Sequence, residues 1–135
     1  MKIEIRYYSR SGNTKKVADA IGEEVEVIAR DITDKLLGKT DILFLGGALY
    51  WSGVDNELKS FINNLDNSVK KVAIFSTASI AKSAYGDIKK LLEAKNIYVY
   101  DNEFHCRGEF KMLHRGRPNA DDLNLARKFA RSIVK

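Results

Sequence analysis

Tyr8-Ser9-Arg10-Ser11-Gly12-Asn13-Thr14 decides how the rest of the chain is read. An alternating apolar run, Lys2 to Tyr8, leads into it, and an amphipathic helix starting near Thr14 leads out. Strand, hydroxyl-rich turn and helix N-terminus in that order bring free backbone N–H groups and the positive end of a helix dipole together. That combination suits a phosphate. Ser9, Ser11 and Thr14 add hydroxyls, Gly12 permits a tight turn, and Asn13 tolerates left-handed geometry. The simpler alternative is that Ser11, Asn13 or Thr14 only caps the helix. A cap needs one such residue, and here small or hydroxyl-bearing residues fill most of the loop.

Working outward, Val17, Ala18, Ile21 and Val25 place helix 1 over Thr14–Glu24, and a short strand is expected at Val25–Arg30. Asp31–Thr40 reads as a loop with one helical turn at Asp34–Leu37, ended by Gly38. Asp41–Gly46 is a continuous apolar run, as for a central parallel strand covered on both faces. Gly47–Asp55 reads as a loop. Leu58, Phe61, Ile62 and Leu65 mark a helix, Lys71–Ser76 a strand, Thr77–Lys82 a loop, Ser83–Ala94 a helix and Ile97–His105 the last strand. After an irregular connection, Asn119 caps a final helix with Asp121 and Asp122 in its first turn. This alternation predicts one α/β domain over residues 1–135, a parallel sheet with helices on both faces. Ligands of such sheets bind beyond the carboxyl ends of the strands, where Ser9–Thr14, Gly47–Asp55 and Thr77–Lys82 fall.

Composition sets bounds. The chain has 135 residues, 44% hydrophobic and 30% charged, as in a soluble globular protein. No apolar run approaches the ~20 residues that span a bilayer, and the N-terminus alternates like a strand instead of carrying a signal-peptide core. The cytoplasm is the expected location. The single cysteine excludes an internal disulfide framework. The net charge of +5 is confined to residues 105–135, with eight basic and three acidic side chains. Several phosphate chemistries are absent. There is no G-x-x-x-x-G-K-[ST] and no G-x-G-x-x-G after strand 1. No carboxylate of the receiver-domain type ends strand 1, and Met112 stands where a Cys106-based C-x5-R loop needs arginine.

Tyr8-Ser9-Arg10-Ser11-Gly12-Asn13-Thr14 resembles the phosphate loop of flavodoxins, T/S-x-T/S-G-N-T. The likeness extends over the chain. Leu45-Gly46-Gly47-Ala48-Leu49-Tyr50-Trp51-Ser52-Gly53 is similar to the loop carrying an aromatic beside the flavin, and Cys106-Arg107-Gly108 resembles a signature of a flavodoxin-like subgroup. The resemblance implies a three-layer flavodoxin-like fold, with a five-stranded parallel sheet in the order 2-1-3-4-5. It implies non-covalent FMN, with the phosphate on Ser9, Arg10, Ser11, Gly12, Asn13 and Thr14. The ring would lie against Leu49, Tyr50, Trp51, Ser52 and Gly53, and its pyrimidine edge near Ser76, Thr77, Ala78 and Ser79. The peptide joining Ser52 and Gly53 would turn over on reduction. For Tyr50 and Trp51 the alternative is burial in the core.

The function so implied is electron transfer between redox partners, with no catalytic residue and no metal. A small FMN-dependent NAD(P)H or quinone reductase is the second option, and a flavin-free binding module on the same fold the third. Two features depart from the family. The chain is basic where flavodoxins are acidic, and Arg10 puts a cation inside the phosphate loop. Arg107, Lys111, Arg115 and Arg117 would then steer an acidic redox partner. A solvated loop is the alternative for these four, as is a site for the phosphates of NADPH. No nucleic acid or membrane partner is expected, and the chain is expected as a monomer or weak dimer. Cys106 next to Arg107 is either a thiolate of lowered pKa or a small buried hydrophobe. His105 and His114 have no metal-ligand spacing.

Overall fold

The computed structural model describes residues 1–50, 53–78, 83–109 and 115–135, and of Tyr50 the backbone alone. Trp51, Ser52, Ser79, Lys111 and His114, singled out above, lie outside the described residues. The elements are β1 (Ile3–Tyr7), α1 (Asn13–Val25), β2 (Arg30–Asp31), β3 (Thr40–Tyr50), β4 (Gly53–Val54), α2 (Asn56–Asn63), β5 (Val69–Ala78), α3 (Tyr85–Glu93), β6 (Tyr98–Val99), β7 (Phe104–Arg107) and α4 (Ala120–Val134).

The sheet runs β2-β1-β3-β5-β6, with β7 also on β5 and β4 on β3. All pairs are parallel except β3 with β4. This is the expected 2-1-3-4-5 order, although the sheet has seven strands where five were expected. Two local causes account for the difference. The expected last strand is two pieces, because Tyr98–Val99 pairs with Lys71–Val72 and Phe104–Arg107 with Phe75–Ala78. Between them the polar Asp101-Asn102-Glu103 leaves the ladder, and Glu103 accepts a hydrogen bond from Ser83 Oγ. The other cause is Gly47–Asp55, which is not all loop. Strand β3 continues through Gly46 and Gly47 to Tyr50 and returns as β4, with Leu49 opposite Val54 and Tyr50 opposite Gly53. β5 holds both glycines in register, Gly46 with Phe75 and Gly47 with Ser76. The Phe75 ring fills the space a Cβ at Gly46 would need, 2.1 Å away.

Two further expectations are corrected. Strand 2 is only Arg30–Asp31, because α1 persists to Val25 and ends on Glu26 in left-handed geometry, φ 60°. No helical turn forms at Asp34–Leu37. Asp31 draws the backbone into a tighter turn instead, its Oδ1 accepting Thr33 N–H at 2.8 Å and its carbonyl Asp34 N–H at 2.9 Å.

The apolar run of β3 is covered on both faces. Ile42 and Phe44 join Val17, Ile21, Phe129 and Ile133 under α1 and α4. Leu43 and Leu45 join Leu58, Ile62, Ile88 and Leu92 under α2 and α3. The expected cap of α4 is present as a reciprocal pair: Asp122 N–H donates to Asn119 Oδ1 at 3.0 Å, and Asn119 N–H to Asp122 Oδ2 at 2.9 Å. Among the described residues no helix is long and apolar enough to cross a membrane.

Candidate functional site

The strand-to-helix turn after β1 is tight and leaves the helix N-terminus without a side-chain cap. Gly12 is the N-cap of α1 and stands at φ 91°, where a side chain would be strained. Its N–H donates to Ser9 Oγ at 3.0 Å, which closes the turn. No side chain caps α1, so Ser11, Asn13 and Thr14 do not serve as its cap. The first intrahelical bond runs from Lys16 N–H to the Gly12 carbonyl at 3.1 Å. The N–H groups of the first turn thus face the cleft with the helix dipole behind them.

That turn lines a cleft open to solvent. Ser9, Ser11, Asn13 and Thr14 form one wall, Ala48 and Leu49 of β3 a second, and Thr77 and Ala78 of β5 a third. The three loop regions expected at the carboxyl edge therefore meet in one place. Thr14 is buried, and its Oγ1 is 2.9 Å from Thr77 Oγ1, linking the first and third walls.

Gly108 and Glu109 complete the lining. Neither residue, nor Ala48, is among the site residues expected from the sequence. Asn13 Nδ2 donates to the Glu109 carbonyl at 2.9 Å, and a Cβ at Gly108 would lie 2.6 Å from that nitrogen. A side chain at 108 would make the Asn13 amide give way, so the glycine suits this close approach. A glycine directly after an edge strand was the available signal. Glu109 in turn holds the following connection, its Oε1 accepting Gly116 N–H at 2.7 Å and its N–H donating to the Arg117 carbonyl at 2.8 Å.

Other singled-out residues lie elsewhere. Arg10 turns toward Asp55 and pairs with its carboxylate. Ser76 is fully buried, with its Oγ 3.2 Å from Ser83 Oγ and accepting Ala84 N–H at 3.3 Å, so it anchors the start of α3. Gly53 is in β4 at φ 99°. Arg117 is committed to the fold, donating from Nε and Nη2 to Asp122 at 2.5 and 2.8 Å. Partial desolvation, and then the Glu57 and Asp55 carboxylates, push the Tyr8 phenol up from its ordinary value.

Cys106 is buried among the residues under α1 and α4. Burial foremost, and then the Asp122 carboxylate, push its thiol up from 9.0 to about 12, against the opposing effect of Arg117. This is the inert hydrophobe of the two alternatives. A pH dependence follows. Between 9.0 and about 12 the native thiol keeps its proton while the unfolded one loses it. The unfolded state then binds fewer protons, so this group makes stability fall as pH rises through that window. Urea unfolding of the parent and of Cys106→Ala at pH 8 and pH 10 should show the parent losing more stability across the step.

A family model described as a flavodoxin domain matches residues 4–115. BilS, a flavodoxin-like domain-containing protein of Clostridioides difficile, is 35% identical over 127 residues, covering 81% of this chain and 67% of that one. The chain belongs to the flavodoxin-domain family. An uncharacterized protein of Methanocaldococcus jannaschii is 28% identical, covering 100% of this chain and 99% of its own. The same fold appears in a flavodoxin from the domain Archaea, with TM-score 0.83, 22% identity and coverage of 98% and 96%. It also appears in a flavoprotein of Lactobacillus acidophilus in complex with FMN, with TM-score 0.63, 18% identity and coverage of 78% and 92%. Within this flavodoxin-domain chain, the cleft lies at the carboxyl ends of β1, β3 and β5, the edge at which open α/β sheets bind ligands.

Proposed function

We propose that this protein binds FMN non-covalently in the cleft and carries electrons between redox partners. The observation that carries this reading is the uncapped N-terminus of α1, opened by Gly12 and flanked by Ser9, Ser11 and Thr14, in one cleft with Leu49, Thr77 and Ala78. The donor set fits a phosphate dianion, since backbone N–H and hydroxyl groups supply hydrogen bonds without a competing side-chain cap. The flavodoxin-like fold and the FMN complex of the Lactobacillus relative support the choice of flavin. FMN supplies one- and two-electron chemistry. The protein's part is to hold the phosphate, bond the ring edge from Thr77 and Ala78, and keep water from the apolar ring face. Tyr50 and Trp51 are assigned to stack on that face.

A reductase reading is favoured by one feature: the connection after β7 contributes Glu109 to the cleft wall, which would bound a second substrate. Turnover with NAD(P)H and a quinone separates the two. Arg107, Lys111, Arg115 and Arg117 are proposed to steer an acidic redox protein. Arg115→Glu should slow electron transfer from such a partner and flatten its salt dependence, with FMN affinity unchanged. If the Michaelis constant for NADPH rises instead, and that for NADH does not, the reductase reading stands.

A further inference from the structure

We propose that Arg10 and Asp55 form a positioning latch that ties the phosphate loop to the foot of the β3–β4 hairpin, so that the two halves of the cofactor site are held as one unit. The consequence for cofactor binding rests on the flavin reading above; the latch itself does not.

The location of Arg10 suggested a phosphate ligand, since it stands between Ser9 and Ser11. Its guanidinium goes elsewhere. Ser9 and Ser11 line the cleft, while Arg10 Nη2 pairs with Asp55 Oδ1. The pairing is unequal in exposure. The Asp55 side chain is 6% exposed and that of Arg10 55% exposed. A carboxylate so far removed from water requires a charged or hydrogen-bonding partner, and Arg10 is one.

Asp55 also forgoes its ordinary local role. It is the N-cap residue of α2, a position where an aspartate usually accepts an N–H of the first helical turn, yet it makes no side-chain cap. Its carboxylate is directed across the sheet edge to the loop after β1. What it fixes there follows from chain order. Asp55 comes directly after β4, whose two residues pair with Leu49 and Tyr50. The strand before Arg10 is anchored beside the same hairpin, since Tyr8 N–H donates to the Gly46 carbonyl at 3.1 Å. The pair therefore joins the loop that carries Ser9 and Ser11 to the hairpin that carries Leu49. Trp51, the chain's one tryptophan, lies between the strands of the latched hairpin in sequence.

A latch and a phosphate ligand make opposite predictions. A phosphate ligand acts on FMN and not on riboflavin. A latch sets the spacing of loop and hairpin, and so acts on both flavins alike. The full chain and its variants Arg10→Gln, Asp55→Asn and the double variant are compared in two ways. In the flavin-free protein, acrylamide quenching of Trp51 is expected to rise in each single variant and no further in the double. In titrations, each single variant is expected to weaken FMN and riboflavin by the same factor, roughly tenfold, with the double variant no worse than either single. Arg10→Lys, which keeps the charge but not the fork, should recover part of the loss. Far-UV circular dichroism confirms that each variant is folded.

Unchanged Trp51 quenching in both single variants overturns the latch, as does an additive loss in the double. Loss of FMN alone in Arg10→Gln, with riboflavin unaffected, overturns it too and makes Arg10 a phosphate ligand. A parent chain that binds neither flavin defeats the flavin reading, while the Trp51 measurement still decides the latch.

Discussion

Thr14→Val is expected to weaken FMN by about 1.5–3 kcal/mol, roughly 10- to 100-fold, and riboflavin little. Thr14 is preferred to Ser11 for this test because of where it sits. Ser11 is exposed, so water can replace its hydroxyl in a variant. Thr14 is 1% exposed, so water replaces its hydroxyl far less readily. Valine keeps the shape of the side chain and its place on α1. It also removes a partner of Thr77 Oγ1, now 2.9 Å from Thr14 Oγ1. That second effect is common to both flavins, so the ratio of the two affinities isolates the phosphate contribution. Fluorescence titration with each flavin gives the ratio. Equal losses would take Thr14 out of the phosphate site.

Phe44→Ala should cost about 3–5 kcal/mol of folding stability. Phe44 is fully buried in the central strand β3, with the Phe129 ring edge-on at a centroid distance of 6.1 Å. Its ring is shared by the sheet and by α4, so the space left by alanine is walled by elements that cannot collapse independently. A marginally stable chain of this size has ~5–15 kcal/mol in all. Urea unfolding followed by circular dichroism should show the midpoint falling sharply with the slope unchanged. A loss under 1 kcal/mol would mean that β3 is not the centre of the core.

The order of elements was legible because each β–α unit announces itself in period and punctuation. The run Asp41–Gly46 reads as a strand buried on both faces, and its alternate residues do divide between the two core clusters. The cap at Asn119 was legible because capping is local. What failed was non-local. The β3–β4 hairpin depends on β5 holding Gly46 and Gly47 in register, which no local rule states. The break between β6 and β7 depends on Glu103 reaching Ser83.

The site divides in the same way. That Ser9, Ser11, Asn13 and Thr14 line one cleft was legible because a strand-turn-helix motif is contiguous. Gly108 and Glu109 arrive from almost a hundred residues further on, through the bond from Asn13 to the Glu109 carbonyl, and only the tertiary structure places them. Arg10 reads differently in sequence and in space. In sequence it belongs to the phosphate loop, and only in space does it belong to Asp55.

The central claim is that the cleft after β1 holds FMN through its phosphate. Titration of the flavin-free chain with FMN, followed by flavin fluorescence and by the visible absorption of the complex after gel filtration, tests it most directly. The account predicts one FMN retained per chain, its fluorescence quenched, with riboflavin bound more weakly. A chain that elutes colourless and leaves FMN fluorescence unchanged at all concentrations would contradict it.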